Sequence, residues 1–292
     1  RFLVEYTVKE LLGVGGFGCV FRVINKSDKA EYTVKRIAEI ADDVDKALEE
    51  VRKLVILDHQ GIVRYNYHWI EKPPKGWQHR TDIKMLTKME SSRRTLNDYD
   101  VYCVFIYIQM KLYKKSLTDW LKENQNISSR ELSQMKVWFK QIVEAVRYLH
   151  FNEIIHCDLK PCNILLDKDN SPKICDFGIA KERKTENGLE LTISRTSIFT
   201  RLYSSPEQSG CITQFSSKTD VFALGLIFAE LCVVMEYSTL FQRAEIFDSY
   251  RRGDPRNDIF NDEHTAKFVA KLAALNSKDR PTCEDILNDT YL

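Results

Sequence analysis

Eight consecutive residues, His156-Cys157-Asp158-Leu159-Lys160-Pro161-Cys162-Asn163, hold a carboxylate, an ammonium and a carboxamide. A second carboxylate, Asp176 of Asp176-Phe177-Gly178, follows thirteen residues after Asn163. Each group suits one part of a phosphoryl transfer. Asp158 can accept a hydroxyl proton, Asn163 and Asp176 supply the oxygen ligands that Mg²⁺ prefers, and Lys160 can neutralise the transferring group. Upstream, Gly13-Val14-Gly15-Gly16-Phe17-Gly18-Cys19-Val20 fits the pattern GxGxxGxV, in which missing Cβ atoms let backbone close on phosphates. Alone, that run reads as readily as a glycine hairpin without a ligand. A dinucleotide fold would continue into a long helix, whereas Cys19 to Val23 continues as strand. Lys35 stands seventeen residues beyond Gly18, in an apolar strand where a charge needs a reason. From Asp45 to Leu57, Leu48, Val51, Leu54 and Val55 share one helical face with Glu50 beside it. Glu50 can therefore point inward and fix the Lys35 ammonium against phosphates.

These groups need elements to hold them. The first third of the chain is rich in short strand-like runs, among them Tyr32-Thr33-Val34, Ile62-Val63-Arg64-Tyr65 and Val101 to Met110, with one helical pattern between them. From Ser116 onward, helical spacing dominates. Met135, Phe139, Ile142, Val143, Val146 and Leu149 share a face, and Val221 to Val234 reads as a buried helix that Asp220 opens. Ser205-Pro206-Glu207 precedes that helix, and Arg280, just before Pro281, is a natural partner for Glu207. Lys72 to Asp100 carries Pro73-Pro74, Trp77, Ser91-Ser92 and an excess of basic residues, and reads as an exposed insertion.

Composition narrows the classes. The 43 basic and 42 acidic residues among 292 leave a formal charge of +1, so no global field draws nucleic acid or a membrane surface, and no direct contact with either is expected. The longest strongly apolar stretch, Val221 to Met235, carries Glu230 and falls short of the ~20 residues of a bilayer span. Eight cysteines lie without a CxxC pair, which points to a reducing compartment and to neither a zinc ribbon nor a disulfide framework. Arg1 is not an initiator Met, and the chain reads as a segment of something longer.

With these elements in order from Gly13 to about Leu287, the chain resembles eukaryotic protein kinase domains. The resemblance implies an α+β, bilobal fold: an N-lobe over 1–110 with its insertion at about 72–100, a hinge over 111–115 and a mainly helical C-lobe over 116–292. It implies ATP and Mg²⁺ as cofactors. Gly13, Val14, Gly15, Gly16, Gly18, Val20, Lys35 and Glu50 would surround the nucleotide, with Met110 as gatekeeper and Lys111-Leu112-Tyr113 bonding adenine. Asp158 and Lys160 would be catalytic, Asn163 and Asp176 would hold metal, and Glu207, Asp220 and Arg280 would be structural. Lys160 within Asp-Leu-Lys-Pro-x-Asn resembles serine/threonine kinases.

A narrower resemblance lies in Gly61 to Tyr65, Trp69, Pro73-Pro74, Trp77, Ile108-Gln109-Met110, Leu202 to Gln208 and Gly225-Leu226-Ile227. These look like the stress kinases of the translation initiation factor 2 α subunit, the endoplasmic-reticulum-stress branch most of all. The implied function is phosphorylation of a Ser on that subunit, lowering translation. A kinase for another protein and a dimerising pseudokinase scaffold are the alternatives; the presence of Lys35, Glu50, Asp158, Asn163 and Asp176 favours an enzyme. One family member pairs an Arg and an acidic residue across an N-lobe dimer where Arg1 and Glu5 stand. The chain also departs from the family. Cys157 replaces the Arg that receives an activation-loop phosphate, and Phe199 replaces the Gly before Thr200. The main loop phosphosite falls on Arg195, leaving Ser194, Thr196 and Thr200 as candidates. In the helix expected at Ala244 to Arg252, which docks the initiation factor in this family, Asp248 stands where Thr is usual.

Overall fold

Alternating side chains build the first sheet. In the computed structural model, β1 (Tyr6–Gly15), β2 (Gly18–Asn25), β3 (Glu31–Ile40), β4 (Tyr65–Glu71) and β5 (Cys103–Lys111) form one antiparallel sheet in the order β1-β2-β3-β5-β4. The structure describes residues 1–15, 18–40, 48, 51, 55–72, 103–126, 130–176, 181–182, 202–209, 215–235 and 240–292. It divides into two compact units, Arg1–Asp58 with Val63–Leu112, and His59–Ile62 with Tyr113–Leu292.

In the first unit, cross-strand partners project to the same side of the sheet, so register assigns the faces. Phe21, Val23, Val34, Trp69, Phe105 and Tyr107 make an aromatic core on one face. The short helix α1 (Phe2–Glu5) caps it, with the Phe2 ring 4.8 Å from Tyr107 and the Trp69 ring 5.1 Å from the same tyrosine. Arg36 is buried on this side with its guanidinium 4.8 Å from the Phe105 ring. The opposite face carries Gly13 across from Val20, Val20 across from Lys35, and Lys35 across from Ile108. Met110 pairs with Thr33 two residues along and so shares that face. Arg1, the N-cap of α1, pairs with Glu5 of the same chain at 2.9 Å and also donates to the Tyr67 hydroxyl at 2.7 Å.

In the second unit, β6 (Lys115–Ser116) leads into α2 (Leu117–Glu123), which opens with a Ser116/Asp119 capping box. Next comes α3 (Leu132–Phe151), whose whole apolar face is buried. β7 (Ile154–Ile155), β8 (Ile164–Leu166), β9 (Pro172–Ile174) and β10 (Lys181–Glu182) follow; β6, β8 and β9 form one small sheet, β7 and β10 another. Five α-helices are described after these: α4 (Pro206–Ser209), α5 (Ser217–Cys232), α6 (Leu240–Arg251), α7 (Glu263–Leu272) and α8 (Cys283–Leu287). α5 is apolar all round and buried from Thr219 to Leu231, as a central helix must be. Phe139 of α3, Phe228 of α5 and Phe268 of α7 meet at 4.5 to 6.1 Å and lock the three helices together. Among the described residues, no helix is long and apolar enough to cross a membrane.

One expected strand is corrected. Of Ile62-Val63-Arg64-Tyr65, only Tyr65 enters a strand, while Ile62 makes an isolated parallel bridge to Ile174. The cause is the close approach of this loop to α3: a Cβ on Gly61 would stand 2.7 Å from the Ala145 Cβ, so the glycine permits contact with the helix and the chain leaves the sheet.

Candidate active site

The loop after β7 is shaped by bonds that depend on its sequence. His156 is fully buried; its Nδ1 accepts from the Asp158 backbone N–H at 3.3 Å, so its Nε2 is free to donate to the Cys175 carbonyl at 3.1 Å. That bond ties the loop to the residue before Asp176. Asp158 is 8% exposed, and Lys160 Nζ donates to its two carboxylate oxygens at 3.0 and 2.8 Å. Asn163, in a single 3₁₀ turn at Pro161–Asn163, donates through Nδ2 to the Asp158 carbonyl at 2.8 Å and to its carboxylate at 3.1 Å. One carboxylate is thus clamped by an ammonium and a carboxamide. Burial pushes the Asp158 carboxyl above its ordinary range, the Asp176 charge adds to this, and Lys160 opposes it. Lys160 itself titrates higher than usual: burial works against its charge, but Asp158 and Cys162 more than compensate.

Asp220, at the start of α5, holds the loop from below. Its carboxylate is 1% exposed and accepts from the backbone N–H groups of His156 and Cys157, both at 2.9 Å, and from His150 Nε2 at 2.8 Å. Burial alone would raise this carboxyl; the bonds and the nearby histidines outweigh it and hold it below the usual range. Cys157 adopts φ +61°, the left-handed region, and is strapped there by Asp220 on its N–H and by Gln208 Nε2 on its carbonyl at 2.8 Å. Asp176 has φ +63°. Glu207 and Arg280 form a two-pronged pair at 2.7 and 2.9 Å. Spacing singled out Asp220, Glu207 and Arg280, whereas Gln208 and His150 carried no such signal, because their partners are a backbone carbonyl and a carboxylate 70 residues away.

The first unit contributes the other group of candidates. Gly13, Val20, Lys35 and Met110 lie on the face opposite the aromatic core, and Lys35 is buried between two apolar neighbours in register. Gly18 has φ +121°, and a Cβ there would meet the Arg36 carbonyl oxygen at 1.9 Å, so only glycine fits. Val14 and Gly15 continue β1 to its end, and Lys111 closes β5 exposed to solvent. Tyr113 belongs to the second unit, where burial pushes its hydroxyl up to about 12. Gly16, Glu50, Phe177, Gly178, Ser194, Thr196 and Thr200, like most of the 72–100 insertion, lie outside the described residues.

The oxygen donors fit a hard cation. Asn163 spends its Nδ2 on Asp158, while its Oδ1 meets the Cys162 thiol at 3.7 Å among the described residues, and the Asp176 carboxylate is close enough to act on both Asp158 and Lys160. One carboxylate and one carbonyl are what Mg²⁺ takes from a protein when phosphates and water fill its remaining positions.

Known proteins resemble this chain in sequence over nearly its whole length. The interferon-induced, double-stranded RNA-activated protein kinases of Rattus norvegicus and Mus musculus are 32% and 34% identical to it over 98% of this chain, and over 52% and 51% of their own length. The eukaryotic translation initiation factor 2-alpha kinase pek-1 of Caenorhabditis elegans is 24% identical over all of this chain and 44% of its own. That alignment runs over 485 positions, more than this chain possesses, so the worm protein carries inserted residues that this chain lacks. The chain spans about half the length of these curated relatives. The protein kinase domain family matches residues 6–292, which take in the five-stranded sheet, the clamped Asp158 and the helices beneath it, and the chain belongs to that family.

Proposed function

We propose that this chain is an active serine/threonine kinase whose substrate is the α subunit of translation initiation factor 2. The observation that carries the catalytic part is the Lys160–Asp158–Asn163 cluster: a buried carboxylate, held by two donors, with its titration pushed upward by burial. Asp158 receives the proton of the acceptor Ser, Lys160 faces the transferring group, and Asn163 and Asp176 would hold Mg²⁺. When bound, Mg²⁺ neutralises the ATP phosphates. Lys35, on the glycine-bearing face of its sheet, anchors the nucleotide. The substrate reading is supported by the likeness to pek-1, named for that substrate, and by the motif resemblance from Gly61 to Ile227. Phosphate transfer from Mg-ATP to the purified α subunit, with dephosphorylated casein beside it as a general acceptor, tests both parts. Transfer to casein alone would refute the substrate, and transfer to neither would refute the enzyme and favour a scaffold. The site of action on this reading is the cytosol.

Lys35→Met keeps the length of the side chain and removes its charge. Losing a charge-assisted bond to phosphate is expected to lower kcat/KM for ATP by about 10- to 100-fold. The circular dichroism spectrum should not change, because the methionine stays between Val20 and Ile108.

The Cys157 thiol cannot make the bonds that an Arg makes to a phosphorylated loop, so activity should depend only weakly on loop phosphate. The backbone at 157 is held by Asp220 and Gln208 whatever the side chain, so Cys157→Arg should fold. Initial rates of phosphatase-treated and autophosphorylated protein are compared in both forms. A gain on phosphorylation is expected only with Arg; a large gain already in the wild type would overturn this reading.

A further inference from the structure

Helix α6 grips the segment beside Asp158 with charged side chains. In its last turn, Arg251 donates through Nη1 to the Leu202 carbonyl at 2.9 Å and the Ser204 carbonyl at 3.3 Å, and through Nη2 to Leu202 at 3.1 Å. Asp248, one turn earlier, accepts from Arg251 Nε at 3.0 Å and thereby aims the guanidinium. In the first turn of α6, Arg243 pairs with the buried Glu230 at 3.1 Å, and Glu230 also accepts from the Tyr203 hydroxyl at 2.5 Å. The gripped segment is joined to the catalytic loop. Tyr203 and Ser204 line one small cavity with Cys157, Asp158 and Leu159. The Ser205 N–H donates to Gln208 Oε1 at 2.9 Å, and Gln208 Nε2 donates to the Cys157 carbonyl at 2.8 Å.

A chain whose hydroxyl approaches Asp158 through this cavity meets residues 203 and 204. Left alone, a short stretch of irregular backbone keeps several conformations, and an acceptor chain that needs one of them binds more weakly because the ordering cost falls on binding. Guanidinium suits the task because its planar fork can satisfy two carbonyls at once, which an ammonium does poorly. We propose that Arg251, aimed by Asp248, is a positioning residue of the transfer: it fixes Leu202–Ser204 as the wall against which the acceptor chain is presented to Asp158. This rests on the reading of Asp158 as the group that receives the acceptor hydroxyl.

Two measurements on the whole chain test it, with dephosphorylated casein as the acceptor, since an unfolded acceptor does not need a docking surface. Arg251→Met should raise KM for casein roughly tenfold, the effect of losing about one charged hydrogen bond, while KM for ATP stays within about twofold. Arg251→Lys should recover part of the loss. Asp248→Asn, at a half-exposed position that does not endanger folding, should shift casein KM in the same direction by about two- to threefold. Independently of activity, amide exchange at Tyr203, Ser204 and Ser205 should quicken in Arg251→Met and in Asp248→Asn. Unchanged exchange in both variants overturns the grip. Quickened exchange with unchanged casein KM overturns the positioning role alone, and an equal rise of both KM values reduces Arg251 to general support and overturns it too. A wild-type protein that transfers no phosphate, with exchange still responding to the variants, overturns the kinase reading and the positioning role with it, and leaves the grip as structure only.

Discussion

Replacing Asp158 with Asn is expected to lower kcat for phosphate transfer by about 10²- to 10⁴-fold, the usual worth of a positioned base, and to leave KM for ATP nearly unchanged. The amide keeps the shape of the carboxylate, so Lys160 and Asn163 retain an oxygen to donate to, at 2.8 and 3.1 Å in the wild type. What disappears is the negative charge that takes the proton. Single-turnover rates at saturating ATP read this directly, and an unaffected rate would remove Asp158 from the mechanism. A second signature follows from the environment of the group. Burial raises the Asp158 carboxyl, with Asp176 adding and Lys160 opposing, so the base loses its charge at a higher pH than an ordinary aspartate of 3.8. A base acts when deprotonated, so kcat/KM should rise with pH along an acid limb centred above 3.8. An acid limb at or below that value would mean that burial does not control the group.

Sequence spacing was most informative where both partners are side chains or where one face is buried. Asp158, Lys160 and Asn163 fall within six residues, a span that one tight turn must bring together, and the structure joins all three. The helical spacing of Met135, Phe139, Ile142, Val143, Val146 and Leu149 marks a face that is buried throughout. Strand alternation likewise separates Lys35 from Val34 and Arg36, which face the aromatic core. Ile62 and Val63 misled, because a short apolar run looks the same whether it pairs in a sheet or packs as a loop on a helix. Gln208 and Arg251 were silent for another reason. Their partners are backbone carbonyls of Cys157, Leu202 and Ser204, and a carbonyl leaves no mark in the residue types around it. Asp220 was visible at the opening of its helix, but nothing in a single chain says that it meets His150, 70 residues away.

The strongest effect on stability should come from the Glu207–Arg280 pair. The Arg280 side chain is fully buried, and besides both Glu207 oxygens it donates to the carbonyls of Lys218, Ala274 and Leu275. It therefore ties α4 and the start of α5 to the segment before α8. Glu207→Gln leaves a buried guanidinium without its counter-charge, which costs about 3 kcal/mol, near the lower end for broken buried pairs because the carbonyl bonds remain. For a unit of this size, that is a fall in Tm of roughly 6 to 12 °C. Arg280→Met should cost more, since the carbonyls lose their donor as well. The pair also predicts a pH dependence with a definite sign. Burial alone would raise the Glu207 carboxyl, but Arg280, the backbone and Thr219 outweigh it and hold it below its ordinary 4.5. A carboxyl lowered in the folded state contributes stability that is fully present above the unfolded value and is lost as pH falls through the folded one. Thermal melts of wild type and Glu207→Gln should therefore differ most above pH 4.5 and converge as the pH drops below it, since the variant has no charge to lose. A difference in Tm that stays constant down to strongly acidic pH would show that the pair contributes by shape and neutral hydrogen bonding, and that its charge adds nothing.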